Sequence, residues 1–82
     1  MQNLTIFASK SQYIVNRKEI GKIIQQRRKE LGITQQELAD LTDVGINTLV
    51  AIERGQGNPS IGTLEKIASA IGYDLMLVRR SL

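Results

Sequence analysis

The 82-residue sequence contains no cysteine and no histidine. These absences together exclude disulfides, thiolate–zinc sites, cysteine nucleophiles and serine–histidine triads. Carboxylate chemistry stays open in principle, but no spacing of acids suggests it. The sequence therefore points away from an enzyme and calls for neither metal nor cofactor. Nowhere does an apolar run approach the roughly eighteen residues of a membrane span. The first residues also lack the order of charge, apolar stretch and small-residue cleavage site that marks a signal peptide. The expectation is a cytoplasmic protein without membrane contact. No internal repeat or low-complexity tract is visible.

What is present fits a single small domain. Hydrophobic residues make up 41% of the chain, an ordinary share that sustains a packed core. A domain of this length buries only about 60–65% of its unfolded surface. It is marginal on its own, and association with another copy is a usual remedy. Eleven basic and eight acidic residues give a net charge of +3. That balance suits nucleic acid without singling it out.

Residues 1–16 read as a polar N-terminal arm, in which Leu4-Thr5-Ile6-Phe7 fits either a short strand or an unanchored end. Asn16 stands as a helix N-cap with Glu19 at capping-box spacing. Ile20, Ile23, Ile24 and Leu31 follow at helical intervals, and Gly32 is a stop, which predicts a first helix over 17–31. Thr34 and Glu37 repeat the capping-box pattern. A second helix should run from there to Leu41, with Leu38, Ala39 and Leu41 turned inward. Asp43 falls in a turn, and a third helix begins near Gly45 and points Leu49 and Ile52 at the core. Gly55-Gln56-Gly57-Asn58-Pro59 is dense in turn formers. Ser60 caps a fourth helix whose apolar stripe is Ile61, Leu64, Ile67, Ala68 and Ile71, ended by Gly72. From Tyr73 the period changes. Tyr73, Leu75 and Leu77 alternate with Asp74, Met76 and Val78, which predicts a β-strand.

The second and third helices with their turn are compact. Ala39 stands where two crossing helices come close, and Val44, Leu49 and Ile52 hold the third helix at its crossing angle. Two helices joined this way leave the second free to enter a groove of DNA.

The run Thr34-Gln35-Gln36-Glu37-Leu38-Ala39, then Val44, Asn47-Thr48-Leu49, Ile52-Glu53-Arg54-Gly55, Asn58-Pro59-Ser60 and Leu64-Glu65-Lys66-Ile67-Ala68, resembles the Cro/phage-repressor (XRE) helix-turn-helix family. The resemblance extends from Ile20 to Gly72 and implies a mainly α fold, a compact phage-repressor-like helical bundle whose third helix reads the major groove. The family's usual fifth helix is replaced here by the segment from Tyr73. That replacement resembles the HipB-type antitoxin branch, whose members pair C-terminal strands across a dimer and hold a kinase toxin. On this reading residues 17–72 form the DNA-binding domain and 73–82 a dimerisation strand, with Tyr73, Leu75, Met76, Leu77 and Val78 at the contact. The implied partners are double-stranded DNA with a palindromic operator, a second copy of the chain and a HipA-like kinase toxin.

The resemblance also implies roles for single residues. Gln35 matches a phosphate-binding glutamine, or else is a solvated residue of a capped first turn. Gly45, Ile46, Asn47, Val50 and Ala51 match the groove-facing positions. Asn47 suits a bidentate contact with adenine, or else a local backbone bond near a helix start, while Ile46, Val50 and Ala51 suit thymine methyls, with ordinary packing the alternative for Ile46 and Val50. Thr48 matches a phosphate contact. Arg28 and Glu53 match an ion pair that joins the first helix to the third. Two features depart from the family. Asp43 replaces a usual glycine, and Leu31 to Glu53 contains Glu37, Asp40, Asp43 and Glu53 but no lysine or arginine. Cationic phosphate contacts must then come from Arg54, Lys22, Arg27, Lys29, Arg17 or Lys18. Three functions follow: an autoregulating antitoxin and repressor, a protein-interaction module with weak DNA binding, or a stand-alone phage or restriction-control repressor.

Overall fold

The computed structural model describes residues 16–79. The N-terminal arm, with its candidate strand at Leu4 to Phe7, lies outside the described residues. Those residues hold the four helices α1 (Arg17–Glu30), α2 (Gln35–Thr42), α3 (Ile46–Glu53) and α4 (Ile61–Ala70).

The starts and stops follow local chemistry. The Asn16 side chain accepts from the Glu19 N–H at 3.0 Å and opens α1. Thr34 and Glu37 close a full capping box on α2. Ser60 accepts from the Thr63 N–H at the start of α4. Gly45 precedes α3 and offers no side-chain cap. All four helices end in the same way, by the paired backbone bonds of a Schellman turn. Ile33 N–H reaches the Arg28 carbonyl, Val44 that of Ala39, Gln56 that of Ala51 and Tyr73 that of Ala68. The residue just before each donor is left-handed, namely Gly32, Asp43, Gly55 and Gly72. Asp43 takes this conformation at φ 56°, tolerable for an aspartate but strained relative to glycine.

The core consists of Ile24, Leu38, Ala39, Leu49, Ile52, Ile67 and Ile71, with Ile20, Ile33, Val44, Ile46 and Leu64 packed against it. The third helix packs on both α1 and α2, and α4 packs on α2. At the α1–α3 crossing the two backbones touch. A Cβ on Gly21 would overlap the Ile52 carbonyl oxygen and come within 2.8 Å of the Glu53 carbonyl oxygen.

Several expectations need correction. Leu41 is 68% exposed, because the inner face of α2 is centred on Leu38, Ala39 and Thr42. Thr42 takes the inner place by donating its hydroxyl to the Leu38 carbonyl at 2.7 Å, so its polar atom is satisfied. Ile61, Ile23 and Leu31 likewise lie on flanks of their helices and are exposed. The predicted β-strand at Tyr73 to Val78 is not formed: among the described residues there is no strand. A strand needs a neighbour to satisfy its backbone, and no other described segment of this chain is extended beside it. Tyr73, Leu75, Met76, Leu77 and Val78 are all exposed.

Filling the α1–α3 contact should be costly. Gly21→Ala forces a methyl against fixed backbone and should lower the unfolding free energy by about 1–3 kcal/mol or more, measured by urea denaturation. An unchanged midpoint would show that α1 can shift away freely.

Candidate nucleic-acid interface

The far end of α3 is held by one guanidinium. Arg28 Nε donates to Glu53 Oε2 at 2.7 Å, and Arg28 Nη2 donates to Glu53 Oε1 at 3.0 Å. Arg28 Nη1 donates to the Ile33 carbonyl at 2.9 Å. Glu53 Oε1 also accepts from Gln35 Nε2 at 3.0 Å. The pair is buried, with side-chain exposures of 9% and 1%. Hydrogen bonding to Glu53 raises the Arg28 pKa above its ordinary value, against the opposing effect of burial. One charge cluster thus joins α1, the α1–α2 linker, the start of α2 and the last residue of α3.

With that end fixed, α3 has two faces. Leu49, Ile52 and Glu53 are buried, Ile46, Val50 and Ala51 are half-buried, and Asn47, Thr48, Gly45 and Arg54 are exposed. The edge from Gly45 to Thr48 is therefore the one open to a large partner. The loop after α3 lies against Ala51, since Gln56 N–H donates to the Ala51 carbonyl at 2.8 Å. Gln35 sits half-buried beside Glu53. Its amide nitrogen carries two hydrogens. One is engaged with the carboxylate.

The charges resolve into engaged and free groups. Glu53 is matched by Arg28. Glu37 Oε1 accepts from the Thr34 N–H at 2.8 Å, and Asp40 accepts from Gln36 Nε2 at 2.9 Å. Among the cations, Arg27 Nε donates to the Ile71 carbonyl at 2.9 Å, so this arginine ties α1 to the end of α4. Arg17 Nη1 donates to the Gly57 carbonyl. A Cβ on Gly55 would stand 2.8 Å from Lys18 Cα, which puts Lys18 next to the end of α3 and close in the fold to Arg54. Arg17, Lys18 and Arg54 therefore gather around the loop at Gly55 to Gly57. Lys22 and Lys29 are exposed on α1.

A helix-turn-helix family model matches residues 24–78, which takes in the buried pair, the turn and the whole of α3. The chain belongs to the XRE-type helix-turn-helix family. Relatives carry the names of transcription regulators. An "uncharacterized HTH-type transcriptional regulator" of Methanothermobacter thermautotrophicus is 44% identical over 63% of this chain and 75% of its own length. The immunity repressor protein of Bacillus phage phi105 is 37% identical over 72% of this chain and 41% of its own length. The regulator SinR of Bacillus subtilis is 45% identical over 63% of this chain and 48% of its own length. Among solved structures, the clp gene regulator ClgR from Corynebacterium glutamicum superposes with a TM-score of 0.68 at 27% identity, over 76% of this chain and 66% of that one. The last three of these proteins extend beyond the shared domain.

Sequence reasoning missed several parts of this helix-turn-helix domain. Gly21 was visible as an isolated glycine within a helical pattern, a signal of close packing. The bond from Gln35 to Glu53 and that from Arg27 to Ile71 had no local signal, because their partners lie far along the chain. Arg28→Ala leaves the Glu53 carboxylate buried without its cation and should cost about 3–5 kcal/mol. Thermal melting checks this, and a melt matching the parent would mean that water reaches the pair and screens it.

Proposed function

We propose that this protein is a dimeric, sequence-specific transcriptional repressor that binds a two-fold symmetric DNA site. The observation that carries the reading is the two-faced α3, clamped at Glu53 and open from Gly45 to Thr48. Its first-turn N–H groups have no side-chain cap, so the positive end of the helix is free to meet an anion. Asn47 is exposed and of the right chemistry to grip adenine, with Ile46, Val50 and Ala51 toward thymine methyls. Thr48, the second amide hydrogen of Gln35 and the cations Arg17, Lys18 and Arg54 would take phosphates. The exposed apolar residues Tyr73, Leu75, Met76, Leu77 and Val78 suit pairing with the same segment of a second copy, where a ribbon would satisfy both backbones. Such a protein works in the cytoplasm on its own operator. The narrower reading, a HipB-type antitoxin holding a HipA-like kinase toxin, draws on the same exposed segment and is tested by whether the product of the neighbouring gene copurifies as a kinase.

The test is a competition titration against the DNA upstream of the gene and a scrambled duplex, over a range of salt. The parent should prefer the upstream DNA. Asn47→Ala should relax the preference at one position per half-site by about 1–3 kcal/mol. Gln35→Ala should weaken binding to both duplexes alike. The salt slope should fall by about 0.9 for each phosphate-binding cation removed. Deletion of 73–82 should give monomers in analytical ultracentrifugation and bind DNA far more weakly. Equal affinity of the parent for both duplexes would remove the sequence-specific reading in favour of a module that holds another protein.

A further inference from the structure

We infer that Arg27 is a positioning residue that fixes the direction in which the C-terminal segment leaves the domain, and thereby the half-site spacing a dimer accepts. The inference rests on the dimeric DNA-binding reading above and deepens it. Helix α4 ends at Ala70, and the side chain of Ile71, its C-cap, is 1% exposed in the core. The Ile71 carbonyl receives Arg27 Nε at 2.9 Å, so the end of α4 is held by its side chain from within and by its carbonyl from outside. A guanidinium at the negative end of a helix is favoured by the dipole as well as by the hydrogen bond. Next comes Gly72, left-handed at φ 84°, with Arg27 Nη2 3.6 Å from where a Cβ would stand. Tyr73 N–H returns to the Ala68 carbonyl at 2.8 Å and completes the turn. The first apolar residue of the exposed segment is therefore set in direction before it leaves the domain.

Arg27 and Arg28 are consecutive on α1, yet they grip different elements. Arg28 holds the end of α3 through Glu53, and Arg27 holds the end of α4 through Ile71. The angle between the groove-reading helix and the dimerising segment is thus set within one turn of α1. Arg27 also approaches Glu30 at 3.3 Å, but that pair is exposed and lies within α1, so it does not touch the exit.

The experiment uses the full-length protein and a series of duplexes carrying two half-sites at the preferred spacing, or with base pairs added or removed between them. Each base pair turns one half-site by about 34° relative to the other. The parent should bind one spacing best. Arg27→Met keeps the apolar stem and loses the donors. It should bind a single half-site as the parent does, while its discrimination between spacings falls roughly tenfold, the factor that corresponds to one charge-assisted hydrogen bond. Gly72→Ala disturbs the same exit without altering Arg27 and should relax the spacing likewise, while Glu30→Gln should keep the parent's profile. Overturning results are a spacing profile in Arg27→Met or Gly72→Ala that matches the parent, or an equal loss at every spacing and on the single half-site, which would mark a merely structural role. A parent that binds none of the duplexes would overturn the DNA-binding reading itself, a result distinct from either.

Discussion

The Arg28 guanidinium is the contact on which the recognition geometry depends. It is buried, and a buried cation must find acceptors for its donors or be expelled. Glu53 takes two of them and the Ile33 carbonyl a third. Because Glu53 is the last residue of α3 and Ile33 belongs to the linker into α2, the demand of one side chain fixes both helices of the motif against α1. The backbone contact at Gly21 works in the same place from the other side, by allowing α3 close enough for the ion pair to form inside the domain. Removal of either feature leaves the other without its reason.

The same cluster softens the electrostatic objection to DNA binding. Four acids and no basic residue between Leu31 and Glu53 would repel phosphate if all were free. Glu53 is neutralised internally and Glu37 is engaged in its cap. Glu37, Asp40 and Asp43 keep their charges, since their hydrogen-bond donors, where present, are neutral, and the cations Arg17, Lys18 and Arg54 lie near the other end of α3. Attraction at that end combines with the uncapped start of α3, where backbone N–H groups act as fixed partial charges. On the proposed reading, such an interface would depend more on shape and on helix ends than on lysine and arginine.

Features set by a few neighbouring residues were legible in the sequence. Asn16, Thr34 and Ser60 each cap the helix expected of them, because the acceptor and the N–H lie within one turn. The turn at Asp43 and the stops at Gly32 and Gly72 were legible for the same reason. Leu41 and Ile61 were misplaced because α2 and α4 are short, and apolar residues adjoining the inner stripe cannot be told from the stripe itself by period alone. Tyr73 to Val78 alternates as a strand would, but alternation states a preference, and pairing needs a partner that the described residues do not supply. In the candidate site, the pairing of Arg28 with Glu53, 25 positions apart, had no local signal and was expected only from the family resemblance. The bridge through Gln35 had no signal of either kind.

The uniform way in which the helices stop has one exception with a consequence for motion. Three of the four left-handed helix ends are glycine, which adopts that conformation without steric cost, and the fourth is Asp43. A side chain there costs roughly 1–2 kcal/mol. The corner between α2 and α3 is therefore the junction where the backbone holds least in reserve, although it connects the halves of the recognition motif. Local opening of the native domain should begin at this hinge rather than at the glycine-closed ends. Amide protons around Val44 would then exchange with solvent ahead of their counterparts at Ile33, Gln56 and Tyr73. On the proposed DNA-binding reading, the ease with which α3 adjusts to a groove would then depend on a single β-carbon at the corner that carries it.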